Sequence, residues 1–507
     1  MTPNQYTPEE PISSIATALA PAALGIVRVS GKGCIELVSK VFSRPKALLE
    51  AAGNTLVYGW IQEPEVNTDN CHAELVSAST DGSRNEFGMT SEAKIDEVML
   101  AVYRAPKSFT GEDMVEIFCH GGPAVVMAIQ NLMLKIGFRQ ANRGEYTFRA
   151  FINGKTDLTR AEAVKEIIDS HTDVSRSHAA GRLAGSLFTE IDSIKKLIVD
   201  TLAAIEVEIE YPEDEETIAD SFDREDIETA ARRLEALVDS WRGEKLYQDG
   251  ARVVLAGRTN AGKSSLFNAI LKEERAIVSD IEGTTRDWLE SWASINGIPV
   301  RLFDTAGLRQ TNDVIEAQGV EISRNLVQDA DVVLYLVDGT QGMNDEDREF
   351  IEKCEEPLIV VLTKSDKIGE AAQAQPSPRL AKNSPLDCFC PVSQGRSLSP
   401  ASCKISSKTG EGMAELFAQI YGILTAGIAG NTTERSQAGL GSARQKEAVA
   451  AALESVRHAL VSADDNYTLD AVVQDLEDAL DALGEVTGDV TPDDVLGSIF
   501  ANFCVGK

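Results

Sequence analysis

The sequence predicts a multidomain protein of mixed α/β and α class. We expect an N-terminal α+β domain, then a helical domain in two segments with a doubly wound α/β domain inserted between them. Three observations predict this organisation. The 507 residues exceed what one hydrophobic core usually organises. Residues 251–425 alternate between strand and helix periods, whereas the stretches before and after them have helical spacing only.

The composition predicts a soluble globular protein of a reducing cytoplasm. The chain is 43% hydrophobic and 25% charged, and no apolar run approaches the ~18 residues that span a membrane. Its eight cysteines lack the regular spacing of a secreted disulfide framework. The net charge of −32 argues against holding nucleic acid by bulk electrostatics, although it leaves room for a local basic patch.

The N-terminal domain is predicted over residues 1–153, with a polar insertion at about 63–94. An apolar stretch at 12–27 contains Pro21 and lacks a preceding basic region, so we interpret it as core strand and loop, not as a leader. The α+β character comes from three β-like runs and one helical pattern, at residues 24–29, 98–103, 114–118 and 124–136.

The helical segments are predicted over residues 154–248 and 431–507. We expect them to pack together, because the ends of a compact domain often lie close in space. The second segment has an apolar stripe typical of a buried helix face, formed by Leu469, Val472, Val473, Leu476, Leu480 and Leu483. The acidic run at 206–216 fits either a metal site or a solvated helix face, and its alternation with apolar residues favours the helix face, as at Ile205, Val207 and Ile209.

The α/β domain is predicted over residues 249–430, with a polar insertion at about 368–402. Its β runs are typical of buried parallel strands and fall at residues 253–256, 300–303, 332–337 and 358–362. The insertion carries three cysteines, which fit either a metal site or an incidental grouping: Cys388, Cys390 and Cys403. A lone C-x-C favours the incidental grouping.

Residues 257–264, Gly-Arg-Thr-Asn-Ala-Gly-Lys-Ser, match a phosphate-binding loop between a strand and an apolar helix that we expect to begin at Ser265. The glycines let backbone N–H groups surround phosphates, Lys263 supplies charge, and Ser264 offers an oxygen to Mg²⁺. The strand and helix context makes an accidental Gly-rich turn the weaker interpretation.

Two further segments complete a predicted Mg²⁺ and γ-phosphate site. Asp304 follows a strand and would hold Mg²⁺ through water, and Gly307 leaves room for the γ-phosphate. The polar loop at 283–287 is of switch type, and Thr285 would complete the Mg²⁺ shell when the γ-phosphate is present.

The base is predicted to be guanine. In Thr363-Lys364-Ser365-Asp366, the Asp366 carboxylate can accept from the ring N–H and the exocyclic amine of guanine, a pattern that adenine cannot supply. The usual first residue of this motif is Asn. Thr363 removes an amide that normally ties this loop to the phosphate loop, so we expect weaker affinity. Ser406-Ser407-Lys408 is the expected backing loop for the base.

The residue after the Asp304-Thr-Ala-Gly motif is Leu308, whose side chain cannot orient an attacking water. We therefore expect the water to be oriented from the segment 310–316. Asn260 in the phosphate loop fits both a ligand of a monovalent cation and an ordinary polar loop residue, and the spacing does not separate the two.

Three stretches outside the nucleotide motifs resemble the MnmE or TrmE family of tRNA-modifying GTPases. They are residues 108–122 (SFTGEDMVEIFCHGG), 143–158 (RGEYTFRAFINGKTDL) and 503–507 (FCVGK), and the last is specific for the family. The resemblance covers nearly all of the chain apart from the two insertions. One departure is the segment Pro21-Ala-Ala-Leu-Gly25, where the family has a Gly-rich turn before Arg28.

The resemblance implies that the N-terminal domain binds a one-carbon tetrahydrofolate, 5-formyl- or 5,10-methylene-tetrahydrofolate, and forms a homodimer. The central domain would be a Ras-like G domain. With the flavoprotein MnmG (GidA), which carries FAD, in a heterotetramer or larger complex, the chain would install a (carboxymethyl)aminomethyl group at C5 of the wobble uridine of certain tRNAs. The implied folate contacts are Arg28, Glu116, Lys155 and Lys507. Without the resemblance, an ordinary surface ion pair would be the favoured interpretation of Arg28 and Glu116.

The resemblance also implies a K⁺ site formed by Asn260, Ser279, the Ile281 carbonyl and Thr284. Glu316 would position the attacking water through a second water, alongside Lys263 and Thr285 as catalytic residues. Pairing of two G domains would order the switch loop and trigger hydrolysis. The full predicted nucleotide site comprises Asn260, Ala261, Gly262, Lys263, Ser264, Ser265, Ser279, Asp280, Ile281, Glu282, Gly283, Thr284, Thr285, Asp304, Thr305, Ala306, Gly307, Thr363, Lys364, Ser365, Asp366, Ser406, Ser407 and Lys408.

Two residues keep two interpretations each. Cys504 is either a redox or nucleophilic group, hence a candidate catalytic residue, or a small buried cysteine beside the dimer axis. His120 is either a wall of the folate pocket or a satisfied core histidine, and we favour the core histidine.

Two other functions are weighed against tRNA modification. A regulatory or ribosome-assembly GTPase would need no modification chemistry, and the N-terminal and C-terminal motifs argue against it. A folate-dependent one-carbon enzyme with a structural G domain would need no GTP turnover, which the intact set of Lys263, Ser264, Asp304 and Thr285 predicts.

Overall fold

The computed structural model describes residues 10–63, 94–210, 223–273, 289–304, 326–367, 401–426, 438–464, 469–491 and 493–506. The chain forms two compact units, one of residues 1–161 with 487–507 and one of residues 162–486. Most of each predicted insertion and the end of the predicted acidic run lie outside the described residues. Among the described helices, none is long and apolar enough to cross a membrane.

The strands of the described residues are, in chain order, β1 Ile12–Ile15, β2 Ala22–Ser30, β3 Thr55–Gln62, β4 Lys94–Tyr103, β5 Met114–Gly121, β6 Arg139–Gln140, β7 Ala251–Gly257, β8 Leu289–Ile295, β9 Ile298–Asp304, β10 Val332–Asp338, β11 Leu358–Thr363 and β12 Ala401–Lys404. The helices are α1 Cys34–Ser39, α2 Pro45–Leu49, α3 Pro123–Lys135, α4 Glu145–Ile152, α5 Leu158–Asp169, α6 Asp173–Leu183, α7 Ser186–Glu210, α8 Arg224–Asp249, α9 Lys263–Glu273, α10 Asp345–Lys353, α11 Met413–Leu424, α12 Ala443–Asp464, α13 Leu469–Thr487 and α14 Asp493–Ala501.

The first unit is built on a six-stranded sheet with the order β3-β4-β5-β2-β1-β6. The neighbours pair antiparallel except β1 with β6, which are parallel. Apolar side chains of α1, α2 and α3 share one core with the strands, including Val38, Leu48 and Ile129. The predicted strands and the helix of this domain are confirmed to within a few residues. Strand β3 was not predicted.

The C-terminal residues 487–507 group with this first unit, although the predicted boundaries place them with the second helical segment. The reason is aromatic burial: Phe148 of α4 and Phe500 of α14 meet edge to face with ring centroids 5.3 Å apart, and Phe503 packs beside them. Gly144, which precedes α4, leaves the space, since a Cβ there would lie 2.6 Å from the Phe500 carbonyl oxygen.

In the second unit, helices from both sides of the α/β domain share one core. Side chains of α7 and α8 pack with those of α12 and α13. In the predicted stripe on α13, Val472, Leu476 and Leu483 are buried and Val473 and Leu480 are partly buried. In the described part of the acidic run, Ile205 is buried and Glu206 is exposed, as a solvated helix face requires, but Val207 is exposed as well.

The α/β part of the second unit is a six-stranded sheet with the order β12-β11-β10-β7-β9-β8. The strands are parallel except β8, which pairs antiparallel with β9. The four predicted β runs are confirmed as β7, β9, β10 and β11, whereas β8 and β12 were not predicted.

Two boundaries predicted for the α/β domain are wrong. Ala401 and Ser402, assigned to the polar insertion, already belong to β12, where they pair with β11. The helix expected to begin at Ser265 begins at Lys263. Cys403 of β12 is buried, and burial raises the pKa of its thiol to about 12, so this cysteine packs as an apolar side chain. Cys388 and Cys390 lie outside the described residues.

Candidate nucleotide site

The phosphate loop joins β7 to α9 through a backbone that suits glycine. Gly257 has φ 134° and Gly262 has φ 99°, and a Cβ at Gly257 would lie 2.4 Å from the Leu336 carbonyl oxygen of the neighbouring strand. Asn260 also adopts a left-handed conformation, with φ 62°. The loop therefore turns sharply beside β10 and directs its backbone toward the start of α9, where anions bind favourably.

Lys263 folds back over this loop. Its Nζ donates to the carbonyl oxygens of Gly257 and Arg258, both at 2.8 Å, and the side chain is 7% exposed. The ammonium group is thus held at the loop in a partly dehydrated setting, where it attracts a phosphate more strongly than in water.

Ser264 and Asp304, the predicted Mg²⁺ residues on α9 and β9, are brought together. The Ser264 hydroxyl donates to Oδ2 of Asp304 at 2.8 Å, and Asp304 is buried. Hydroxyl and carboxylate oxygens are the ligands that Mg²⁺ prefers, so this pair fits that ion. The described residues contain no group of three His, Cys, Asp or Glu side chains suited to a metal.

Several predicted site residues lie outside the described residues, among them the switch-loop and water-positioning candidates. They are Ser279, Asp280, Ile281, Glu282, Gly283, Thr284, Thr285, Thr305, Ala306, Gly307, Glu316 and Lys507. The roles proposed for them stay predictions.

The base-reading aspartate is held by the predicted backing loop. The Ser406 hydroxyl donates to Oδ1 of Asp366 at 2.9 Å, and Ser406 is fully buried. Ser406 is fixed in turn, because the Thr409 N–H donates to its hydroxyl at 3.3 Å. Ser407 and Lys408 lie in the same turn. The hydrogen bond from Ser406 fixes the orientation of the Asp366 carboxylate, as bidentate recognition of guanine requires.

Thr363 connects β11 to the phosphate loop. We expected this connection to be missing, because Thr363 stands where the motif usually has the Asn that makes it. Its buried hydroxyl donates to the Ala261 carbonyl oxygen at 2.7 Å and lies 3.2 Å from that of Val337. Because Thr363 lies at the end of β11, beside the phosphate loop, its hydroxyl is close enough to Ala261 to make the same connection.

Replacing Thr363 by Val is expected to speed GDP release by about tenfold or more. Valine keeps the shape but leaves the Ala261 carbonyl without this donor, at a cost of about 1–3 kcal/mol. Release of a fluorescent GDP analogue measures the effect. The Thr363→Ser variant, which keeps the hydroxyl, is the matched control and should resemble the wild type. Unchanged release from the valine variant would contradict the role of this contact.

Asp338, at the end of β10, is a site residue that sequence reasoning missed. Lys364 bridges the motifs: its Nζ donates to the Asn260 carbonyl oxygen at 3.1 Å and to Asp338 Oδ2 at 2.6 Å. Burial disfavours the charged Asp338 carboxylate, but hydrogen bonds from Lys364 and Thr340 outweigh it and lower its pKa to about 2. Asp338 could have been identified from the sequence by its position at the carboxyl end of a predicted parallel strand, where ligands bind in this class of fold.

A second missed contact fixes the first turn of the phosphate loop. The Arg258 guanidinium lies 3.1 Å from the carboxylate of Asp347, which is fully buried on α10 and accepts from the Tyr335 hydroxyl at 2.9 Å. A cleft of about 360 Å³ opens beside this contact, lined by Arg258, Thr259, Ala261, Asp338, Gln341 and Glu346.

The first unit brings Arg28, Glu116 and the C-terminal tail together. Arg28 of β2 pairs in register with Glu116 of β5, and its guanidinium donates to the Glu116 carboxylate at 2.7 Å and 2.9 Å. The same guanidinium donates to the Gly506 carbonyl oxygen at 2.9 Å. Lys155 donates to the Pro106 carbonyl oxygen at 3.0 Å.

One interpretation of this unit is wrong. His120, favoured as a core histidine, has a side chain that is 70% exposed and bonds Asp96 at 2.7 Å. It sits near the end of β5, where alternation turns it outward. Cys504 is exposed in the single chain, and both of its interpretations, a reactive group and a cysteine buried beside the dimer axis, stay predictions.

Comparison with known proteins identifies related chains. Family models match residues 158–504 (MnmE helical domain) and 11–155 (GTP-binding protein TrmE N-terminus). Two relatives, each called tRNA modification GTPase MnmE, are similar throughout. The one from Treponema denticola is 47% identical and covers 99% of each chain, and the one from Treponema pallidum is 41% identical and covers 100% of each. The solved structure of Aquifex aeolicus Era bound to GDP.AlF4- matches 40% of this chain and 66% of that chain at 26% identity, with a TM-score of 0.25, which is too low to support any inference.

Proposed function

Because the chain belongs to the MnmE family of tRNA modification GTPases, we propose that it couples GTP hydrolysis to modification of the wobble uridine. The protein is a GTPase in tRNA modification. The finer proposal is that it installs a (carboxymethyl)aminomethyl group at C5 of that uridine in certain tRNAs. The reaction would use a one-carbon tetrahydrofolate and take place in the cytoplasm.

The observation that carries the nucleotide part is the convergence of three separate motifs at one edge of the sheet. Ser264, next to Lys263, contacts Asp304, while Thr363 and Lys364, which precede Asp366, bond the same phosphate loop. Phosphate charge, Mg²⁺ and guanine can therefore be bound together, with each group held by contacts between motifs.

We propose that Ser264, Thr285 and, through water, Asp304 hold Mg²⁺, and that Glu316 positions the attacking water. Asn260, Ser279, the Ile281 carbonyl and Thr284 would hold K⁺. This cation would supply the positive charge that an arginine finger supplies elsewhere, an effect worth roughly 10³ to 10⁵ in rate. Replacing K⁺ by Na⁺ is expected to slow GTP turnover by at least about tenfold, and equal turnover in the two salts would refute the K⁺ site.

The folate and homodimer proposals are supported by the outer face of the first sheet. Arg28 and Glu116 are partly exposed there, and they lie across the strands in register with Ala101 and Leu56. The neighbouring row presents two large exposed side chains, Tyr58 and Met99, which are paired across β3 and β4. A face with exposed apolar side chains beside a partly exposed charged pair suits a second copy and a pterin at its edge.

Glu116 is the proposed acceptor for the pterin N–H groups, together with cationic Arg28, Lys155 and Lys507. Glu116→Gln is expected to weaken binding of 5-formyltetrahydrofolate by about tenfold or more, since a charge-assisted pair is worth about 1.5–3 kcal/mol. Calorimetric titration measures the affinity, and sedimentation shows whether the homodimer persists. Glu36→Gln, at an exposed position of α1, is the matched control. Unchanged folate affinity in Glu116→Gln would overturn the assignment.

The partner proposed for the modification step is the flavoprotein MnmG (GidA) with its FAD, in a heterotetramer or larger complex. A chain with a net charge of −32 offers little bulk attraction for tRNA, so the partner would supply much of the basic surface. Measuring tRNA affinity with and without the partner tests this division of roles. If the isolated chain bound tRNA as tightly as the complex with the partner does, this proposal would be contradicted.

The decisive experiment is nucleoside mass spectrometry of tRNA from cells that lack the gene. The modified wobble uridine is expected to disappear and to return with the wild-type gene. It should not return with Lys263→Ala. Unchanged modification in the deletion strain would refute the tRNA proposal and favour a regulatory GTPase.

A further inference from the structure

The β8–β9 hairpin connects the nucleotide site to the helices that precede the α/β domain. At its open end Leu289 pairs with Asp304, and at its closed end is the turn Asn296-Gly297. Both turn residues have positive φ, 50° and 86°, as a tight two-residue turn requires. Seven residues in each strand, at about 3.3 Å per residue, separate the two ends by about 20 Å.

The corner between α5 and α6 touches this hairpin at two points. The imidazole of His171 stacks on the indole of Trp292, with ring centroids 3.9 Å apart and planes inclined by 23°. At the turn, a Cβ on Gly297 would lie 3.0 Å from Cγ2 of Val174, so Val174 packs directly on the glycine. We call these two pairs the corner contact.

Trp292 is positioned from several sides. Arg301, its partner in register on β9, places its guanidinium carbon 5.2 Å from the indole centroid. A Cβ on Gly250 would lie 2.5 Å from Cζ3 of Trp292, so the ring also packs against the end of α8. The Trp292 indole therefore contacts β9 of the hairpin, the corner between α5 and α6, and the end of α8, the helix that leads into β7.

The corner is firmly joined to the helical core. Thr172 caps α6 in a reciprocal pair with Ser175. Farther along α6, Arg182 and His178 both bond the buried Glu244 of α8, at 2.9 Å and 3.1 Å. A displacement of the corner is therefore passed to α8, whose side chains belong to the shared core of the helices.

We propose that the corner contact passes the nucleotide state of the G domain to the helical domain, with His171 and Trp292 as positioning residues. The inference rests on the proposed GTPase function, because a nucleotide with Mg²⁺ at Ser264 and Asp304 would act on the open end of the hairpin, where Asp304 pairs with Leu289. Coupling of this kind needs an element with two arrangements that both ends influence, and the hairpin has one end in each region.

Hydrogen–deuterium exchange of the full-length protein tests the proposal. With Mg²⁺ and K⁺ present, amide exchange over residues 165–180 is compared between GDP and guanosine 5′-(β,γ-imido)triphosphate. In the wild type we expect a difference of about threefold to tenfold, the size of effect found for coupling contacts. The difference should be lost in His171→Ala and kept in His171→Phe, which retains a stacking ring.

The matched control is His458→Ala, which removes an exposed histidine of α12 that bonds Asp475 and is remote in sequence from the hairpin. It should exchange like the wild type, and all three variants should hydrolyse GTP within about twofold of it, since none touches the nucleotide. If the wild type hydrolyses GTP but residues 165–180 exchange equally with both nucleotides, or if His171→Ala keeps the difference, the inference is wrong and the proposed function stands. A chain that binds neither nucleotide refutes both.

Discussion

Replacing Lys263 by Ala is expected to lower kcat/KM for GTP by about 10²- to 10³-fold. The ammonium group is the positive charge held at the phosphate loop by the Gly257 and Arg258 carbonyls, and it is shielded from bulk water. Removing a preorganised charge of this kind from a partly dehydrated site costs about 3–4 kcal/mol of transition-state stabilisation. Phosphate release under saturating GTP, with binding of a fluorescent analogue, separates turnover from affinity.

The matched control for this result is Lys272→Ala, because Lys272 lies on the same helix and is exposed in its last turn. It should retain wild-type turnover. Thermal unfolding of both variants shows whether the loop still folds without the ammonium. If Lys263→Ala folds and hydrolyses GTP within about tenfold of the wild type, this lysine does not carry the chemistry.

Replacing Asp366 by Asn is expected to lower GTP affinity by about 10²- to 10⁴-fold, because two hydrogen bonds to a charged group are lost at about 1.5–3 kcal/mol each. The amide can instead donate to the C2 carbonyl of xanthine, so binding of xanthosine triphosphate should improve. The Ser406 hydroxyl, 2.9 Å from the carboxylate, can still orient the amide oxygen.

Competition of the two triphosphates against a fluorescent nucleotide measures this exchange of specificity. Asp345→Asn, at the exposed start of α10, is the control and should not alter the preference. An Asp366→Asn protein that still prefers GTP would show that another group reads the base. Unlike a general loss of affinity, a gain for xanthine cannot result from misfolding.

Part of the architecture was predictable because it depends on residues close together in the sequence. The buried strands β7, β10 and β11 have continuous apolar runs, and the phosphate loop is one contiguous segment. Strands β8 and β3 lacked such a signal. Half of the β3 side chains face outward, and the turn Asn296-Gly297 joins β8 to β9 without any longer loop.

What the sequence by itself determined is the set of motifs and the family, because phosphate, Mg²⁺ and base recognition each need particular residue types within a few positions. The tertiary structure decided which of these residues support one another. Thr363 reaches Ala261, Lys364 reaches Asp338, and His171 stacks on Trp292 only because strand order and register bring distant segments into contact. Side chains separated by tens to hundreds of residues meet through packing, which local spacing does not encode.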